Sequence, residues 1–363
     1  MKQRIPHYNA LMRYAKMLRF GEIHTKIDAK TGLQAIIAVH NTQLGPALGG
    51  CRFYTYAAPE LALKDALRLS YGMTLKAAAC GLPHGGAKAV ILKPKNLTDL
   101  EARKAIFRSF GDFVNELKGQ YITAVDVGSS VEDMTTIFER TPYVCGATGP
   151  GRVDEDPSHS TARGVFRAME AALKFKLKRD NFENIHVVVQ GVGHAGYHLV
   201  KYLTEHGAKV TISDINKSAI EKCVADFNVA TIAADKAEQL PCDIFSPCAM
   251  GGTITHDFIH HTSAKIIAGS ANNQLAHHKN AAAMLARDIL YLPDFLINSG
   301  GLINAAMTYT YQDLSMVDNK VDKIYDIVLT LLERAAINGK TTTAVAEEIA
   351  FERLYNKSSE PRA

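Results

Sequence analysis

The chain has no apolar run long enough to cross a bilayer, so a membrane-spanning helix is excluded. It has no block of basic residues either. Lys plus Arg number 41 against 37 acids, a formal charge of +4, and no basic stripe argues for nucleic acid or an anionic membrane surface. There is no CxxC pair, and Cys51, Cys80, Cys145, Cys223, Cys242 and Cys248 show no scaffold spacing. They read as reduced, mostly buried thiols of a cytoplasmic protein. Arg13 and Lys16 interrupt the opening before a signal-peptide core can form, so secretion is not expected. Internal repeats and low-complexity segments are absent too. What remains is a globular composition, 47% hydrophobic and 21% charged, over 363 residues, a length that suggests two domains.

After an opening helix, the first third alternates short apolar runs with helical patterns. LQAIIAVHN, RFYTY, AKAVIL and YITAVDV read as strands, with helices over about Pro59–Ala79 and Asp99–Leu117. This is an α/β domain with chemistry expected at strand ends. GATGPGRVDEDPSHS, rich in Gly, Pro and charge, is the best linker. Beyond it come a helix from about Thr161 to Phe175 and then HVVVQ, KVTISD, ATIAA, CDIFS, AKIIAGS and ILYLPD, the βαβ rhythm of a doubly wound sheet. The expected division is residues 1–147 as a substrate and oligomerisation domain, 148–330 as a Rossmann-type domain, and 331–363 as C-terminal helices packing back on the first. The tail reads as helical from about Gln312, with MVDNKVDKIYDIVLTLLERAA as one long amphipathic segment.

Two stretches carry chemistry. In VVVQGVGHAGYHLVKYL an apolar strand runs into Gly191, Gly193 and Gly196 and then into a helix, a turn that lets a pyrophosphate approach a helix N-terminus. Asp214 follows at the end of KVTISD, where an acid can accept from the ribose hydroxyls and repel a 2′-phosphate, so NAD is favoured over NADP. The plainer alternative, a tight turn with Asp214 as a helix cap, has the full βαβ context against it.

In GMTLKAAACGLPHGGAKAVIL, Lys76 and Lys88 flank a glycine-rich loop. One ammonium can hold a carboxylate while the other runs proton chemistry. A lone lysine is usually a solvated surface residue. Lys88, however, lies between Gly85-Gly86-Ala87 and Ala89-Val90-Ile91, a neighbourhood that buries it, and burial beside a second ammonium suits a general base. Asp126, in AVDVGSS, is a second proton carrier; the capping role it could otherwise fill suits Ser130 and Asp133 better.

GPALGGCR, DALRLSYGMTLKAAACGLPHGGAK, YITAVDVGSSVEDM, GVGHAGYHLVKYL, SPCAMGG, IAGSANNQL and PDFLINSGGLIN, in this order over nearly the whole chain, resemble the Glu/Leu/Phe/Val dehydrogenase family, most of all its leucine dehydrogenase branch. The resemblance implies that Lys76 clamps a substrate carboxylate, that Lys88 activates the water that hydrolyses an imine, and that Asp126 takes part in proton transfer. It implies Thr161, Asn272 and Asn273 near the nicotinamide and the substrate amine, and a side-chain pocket walled by Gly49, Met73, Ala124, Leu302 and Ala305. NAD is the implied cofactor, an amino acid, its 2-oxo acid and ammonia the implied partners, a homo-oligomer the implied assembly, and a cleft between the domains the implied meeting place. The chain departs from the family pattern at His84 and Ala87, where LGGGK is usual, at Arg163 in place of an aromatic, and at Cys51 in place of threonine.

The expected function is therefore NAD-dependent oxidative deamination of a branched-chain L-amino acid, with phenylalanine or valine preference as the alternative. A catalytically silent NAD-binding regulator is the rival class. It needs the glycines and Asp214 but has no use for Lys76, Lys88 and Asp126 together. His256, His260 and His261 fit a surface helix better than a metal site, and Cys242 and Cys248 fit core packing.

Overall fold

Apolar residues at both odd and even positions of Leu33–Asn41 dictate a strand buried on both faces. In the computed structural model, which describes residues 14–148, 156–311 and 315–355, that strand holds two cores apart. Leu33, Ala35, Ile37 and Val39 join Phe53, Phe107 and Phe110 on one side. Ile36 and Ala38 join Ala62, Leu67 and Val90 on the other. Two-sided burial is why the run does not alternate.

β1 (Glu22–Asp28), β2 (Leu33–Asn41), β3 (Ala47–Tyr54), β4 (Gly85–Leu92) and β5 (Tyr121–Val125) form this sheet in the order β1-β2-β4-β3-β5. β1 and β2 run antiparallel to their neighbours, whereas β4, β3 and β5 are parallel. Helix Pro59–Ala79 supplies one face and helix Leu100–Glu116 the other. Proline at its start and a run of alanines favour the first helix. Asp99 caps the second, accepting from the amides of Glu101 and Ala102. Helix Val131–Phe138, after β5, opens on a capping box between Ser130 and Asp133, which leaves Asp126 out of the cap.

One close approach sets the geometry of this half. A Cβ at Gly86 would fall 2.1 Å from the Thr74 backbone nitrogen and 2.3 Å from its Oγ1. Only glycine lets β4 and the last turns of helix Pro59–Ala79 touch backbone to backbone.

In the second half, β6 (His186–Gln190), β7 (Lys209–Ser213), β8 (Ala230–Thr231), β9 (Ile244–Pro247), β10 (Ile266–Ile267) and β11 (Leu290–Tyr291) form a sheet ordered β8-β7-β6-β9-β10-β11, all pairs parallel. Numbered within the sheet this is 3-2-1-4-5-6, the doubly wound order whose reversal point lies between β6 and β9. Phe166 of helix Pro157–Ala172 stacks on Phe182 and Tyr202 to anchor that helix.

Internal packing divides the chain into two units. One comprises Met1–Glu155, Ala305–Asp313 and Arg353–Ala363; the other comprises Asp156–Asn304 and Leu314–Glu352. Most of the tail expected on the first unit therefore groups with the second. Helix Ile324–Asn338 buries Val328, Leu331, Leu332 and Ala335 and packs on helix Pro157–Ala172. Only its end returns, Arg353 donating to the carbonyls of Ala78 and Ala79. The expected single tail helix is also broken at Lys323, between Val317–Asp322 and Ile324–Asn338. Helix Pro157–Ala172 begins four residues before Thr161, capped by Asp156 with Pro157 following, and so takes the end of the expected linker. The rest of that linker from 149 to 155, and nearly all of the opening helix, lie outside the described residues. β1 went unread because EIHTKID spreads polar residues over both faces of an edge strand. Among the described residues no helix is long and apolar enough to cross a membrane.

Two alanine substitutions test the close approach. Gly86→Ala should lower the unfolding free energy in denaturant titration by about 1–3 kcal/mol through overpacking. Gly72→Ala, whose added Cβ meets nothing within 4 Å, should raise it by about 0.5–1 kcal/mol by removing a mid-helix glycine. Equal effects would show that Gly86 is not a contact point.

Candidate active site

Lys88, in the middle of β4, is only 6% exposed. An ammonium taken that far out of water must have an anion beside it. Asp126, one residue past β5, meets this need with Oδ1 2.8 Å from Nζ. Its other oxygen, Oδ2, accepts from Arg52 Nε at 3.0 Å. The parallel pairing of Cys51 with Val125 puts Arg52 and Asp126 side by side one step further on. Arg52 also donates through Nη1 to Asp65 Oδ2 at 2.6 Å, and Asp65 accepts from Tyr56 and Arg68 at 2.7 and 2.9 Å. Charges of alternating sign thus run from Lys88 through Asp126, Arg52 and Asp65 to Arg68. Burial pushes the Asp126 carboxyl up, but the Lys88 ammonium and then the Arg52 guanidinium outweigh it and hold the group below the usual carboxylate range. The backbone of Asp126 is tied as well, its N–H donating to Ser129 Oγ at 2.9 Å.

Lys76 sits half-buried on the last turn of helix Pro59–Ala79. That turn is held to β4 by the Gly86 contact and to β2 by His40, whose Nδ1 lies 2.8 Å from Thr74 Oγ1. Of the expected pocket residues, Gly49, Met73, Ala124 and Ala305 belong to the first unit and Leu302 to the second. Ala305 is fastened by the Cys145 thiol, which donates to its carbonyl at 3.6 Å. At the departures, Ala87 is fully buried and His84 is buried between the Pro46 carbonyl (3.1 Å) and Thr310 Oγ1 (3.3 Å), immediately ahead of the lysine loop. Burial pushes the Cys51 thiol up to about 12, so it is no nucleophile.

In the second unit the three glycines differ in task. Gly191 has φ +99, which makes the turn. A Cβ at Gly196 would lie 2.1 Å from the Gly191 carbonyl oxygen, so that glycine lets the helix pack on the turn. A Cβ at Gly193 would meet no protein atom within 4 Å. The turn is open there. Gly193 is also the N-cap of helix His194–Glu205 and gives it no side-chain cap, whereas Ser130, Asp156 and Asn216 cap the helices that follow them. Uncapped first-turn amides beside an open glycine fit a pyrophosphate. Asp214 closes the arrangement: Oδ2 accepts from the Val192 amide and Oδ1 from the Asn216 amide, both at 2.8 Å. These bonds orient the carboxylate and leave each oxygen a lone pair for a ribose hydroxyl.

Residues 298–301 connect the remaining candidates. Asn298 Nδ2 donates to Asn272 Oδ1 at 3.0 Å, while a Cβ at Gly301 would lie 2.8 Å from Thr161 Oγ1. Thr161 itself donates to the Pro157 carbonyl at 2.9 Å. Asn273 takes φ +54 in the loop that Gly251 packs against. Arg163 makes a two-pronged contact with Asp322, both bonds at 2.8 Å, and a third bond to Asp318 at 3.0 Å. His256, His260 and His261 lie on the exposed side of a six-residue helix. Cys248 is half-buried behind Gly196 rather than in the core, its Sγ 3.4 Å from the Ser270 amide. Sequence reasoning missed Arg52 and Asp65; the available signal was an arginine directly after the buried run Ala47–Cys51, where a solvated side chain has no room.

Two family models cover this chain. Glu/Leu/Phe/Val dehydrogenase, dimerisation domain, matches residues 19–143, and Glutamate/Leucine/Phenylalanine/Valine dehydrogenase matches 154–222 and 212–360. The chain is 42% identical to the leucine dehydrogenase of Bacillus cereus over 328 residues, 90% of this chain and 88% of the relative. It is 39% identical to the valine dehydrogenase of Streptomyces virginiae, covering 90% and 91% of the two chains. The crystal structure of L-tryptophan dehydrogenase from Nostoc punctiforme superposes with a TM-score of 0.85 at 35% identity, covering 96% of this chain and all of that one.

The open glycine makes a direct test. Gly193→Ala should leave the unfolding free energy within about 1 kcal/mol, since its Cβ meets no protein atom. It should nonetheless weaken dinucleotide binding, read as a smaller thermal shift on addition of a nicotinamide dinucleotide. An unchanged thermal shift would mean that the pyrophosphate lies elsewhere.

Proposed function

The chain belongs to the Glu/Leu/Phe/Val dehydrogenase family, and from that premise we propose that it oxidatively deaminates branched-chain L-amino acids, L-leucine foremost, with NAD. The products are the 2-oxo acid and ammonia, and the reaction runs both ways. The observation that carries this reading is the buried contact between Lys88 and Asp126. A regulator that merely bound the dinucleotide would gain nothing from an ammonium and a carboxylate sequestered together, at a desolvation cost of several kcal/mol per ion.

Each residue then has a task. Lys76 anchors the substrate carboxylate and so orients the Cα hydrogen. Gly191, Gly193, Gly196 and Asp214 would hold a dinucleotide, with Thr161 and Asn272 as further contacts, and its nicotinamide would supply the hydride acceptor. Lys88 takes a proton from the water that attacks the imine, and Asp126 stabilises the resulting ammonium and takes part in proton transfer at the amine, which Asn273 also contacts. Asp214 would repel a 2′-phosphate, which supports NAD over NADP. Gly49, Met73, Ala124, Leu302 and Ala305 wall the side-chain pocket; none offers a charge to a second carboxylate. A homo-oligomer built on the first unit accords with the description of its family model as a dimerisation domain.

Three measurements follow. In an NADH-absorbance panel, leucine, isoleucine and valine should turn over within about 10- to 200-fold of one another, because a methylene in an apolar pocket is worth only about 1–3 kcal/mol. Glutamate should fail, phenylalanine and tryptophan should be poor, and Ala124→Gly should improve phenylalanine. A preference for glutamate or an aromatic substrate would assign the chain to another branch. Lys88→Ala should lower kcat by roughly 10²- to 10⁴-fold with NAD binding retained, whereas Lys76→Ala should act mainly by raising KM. A near-normal rate in the Lys88 variant removes that residue from the mechanism. NADP should be the poorer cofactor, and Asp214→Ala should narrow the gap.

A further inference from the structure

A base that must accept a proton is poorly served by a carboxylate at 2.8 Å with nothing else to bind, because the carboxylate holds the lysine in its charged form. Lys88 therefore needs its partner close, to offset the cost of burial, yet not so strongly attracting that the proton never leaves. The structure contains a device that meets both demands. The Asp126 carboxylate is divided, one oxygen to Lys88 and the other to Arg52, and the Arg52 guanidinium is divided in turn, Nε to Asp126 and Nη1 to Asp65. None of these side chains is more than 20% exposed, so solvent screens the exchange only weakly.

We propose that Arg52 is a positioning residue of the proton-transfer pair: by claiming one oxygen of Asp126 it prevents that acid from trapping Lys88 as an ammonium, and Asp65 sets how strongly it does so. The proposal rests on the reading of Lys88 as the general base. The other groups facing the cluster fit it. Cys51 of β3 and Tyr121 of β5 are buried and held neutral by that burial. Arg103 and Asp133, from the helices before and after β5, neutralise each other through bonds of 2.8 and 2.6 Å. Arg68 and Tyr56 bind Asp65, and Lys76 adds a cation on the helix that carries Asp65. Arg52 is thus the cation that shares a carboxylate with Lys88.

The simpler alternative is that Arg52 only fastens β3 to helix Pro59–Ala79. The two differ in pH dependence. On that reading kcat/KM in the deamination direction should rise with pH as the base loses its proton. Removing the Arg52 charge leaves Asp126 wholly to Lys88, favours the ammonium and moves that rise to higher pH. Removing the Asp65 charge leaves the guanidinium wholly to Asp126 and moves it to lower pH.

The test is the pH profile of kcat/KM for L-leucine with NAD, in the full-length protein and its Arg52→Gln, Arg52→Lys and Asp65→Asn variants, with folding checked by circular dichroism. Arg52→Gln should shift the rise upward by about one pH unit, a roughly tenfold loss below it and little loss above. Arg52→Lys should recover most of that shift, and Asp65→Asn should move the rise downward by less. A uniform loss at every pH in Arg52→Gln, with the rise unmoved, would overturn the proposal. If Arg52→Gln does not fold, Asp65→Asn decides: a downward shift supports the proposal, and an unmoved or upward one overturns it. Failure of the underlying reading looks different, since Lys88→Ala would then keep its rate or the unaltered protein would turn over no amino acid.

Discussion

A buried ammonium is the constraint that organises the first unit. Once Lys88 sits in the middle of β4, a carboxylate must reach it, and a strand ending two places away in the sheet delivers it. The order β4-β3-β5 provides this, with β3 between the two. β3 is built of small residues where it passes, Gly49 and Gly50, and turns polar at Arg52, where the acid arrives. A Cβ at Gly50 would come within 2.8 Å of Asp126 Cβ, so the approach of Asp126 depends on that absence. Sheet order, strand composition and the placing of charge are in this sense one solution to one electrostatic problem.

The second unit solves a different problem, that of leaving a space. Its glycines enforce a turn, permit a helix to dock, and leave one position open, while the helix that starts there has no side-chain cap over its first amides. Asp214 contributes twice over, since the acid suited to a ribose also accepts the Val192 amide within the glycine loop. The turn and the ribose site proposed at Asp214 therefore share a single carboxylate.

Much of this was legible in the residues. Helix Pro59–Ala79 was delimited by its proline and its alanine run, β2 by an apolar stretch too dense for a half-exposed strand, and the doubly wound half by its repeated strand–helix rhythm. Lys88 and Asp126 could be singled out, but their contact could not, because it arises from the parallel register of Cys51 with Val125 across some seventy residues of chain. The same long-range pairing hides Arg52 and Asp65, whose roles exist only in three dimensions. β1 carries no periodic signal, and the break at Lys323 has no proline or glycine to announce it. The tail's destination was misjudged for a related reason: an amphipathic stripe declares that it will be buried and says nothing of which surface will bury it.

Helix Pro59–Ala79 ends with the carbonyls of Ala78 and Ala79 accepting from the guanidinium of Arg353, almost at the other end of the chain. Since helix C-termini leave carbonyls without intrahelical partners, this capping is part of finishing the helix that carries Lys76. During synthesis those carbonyls emerge long before the arginine does, by a delay on the order of tens of seconds at ordinary elongation rates. The unit that begins the chain is thus completed last, and its final turn, the one bearing Lys76, has to wait in water for a residue the ribosome has yet to make.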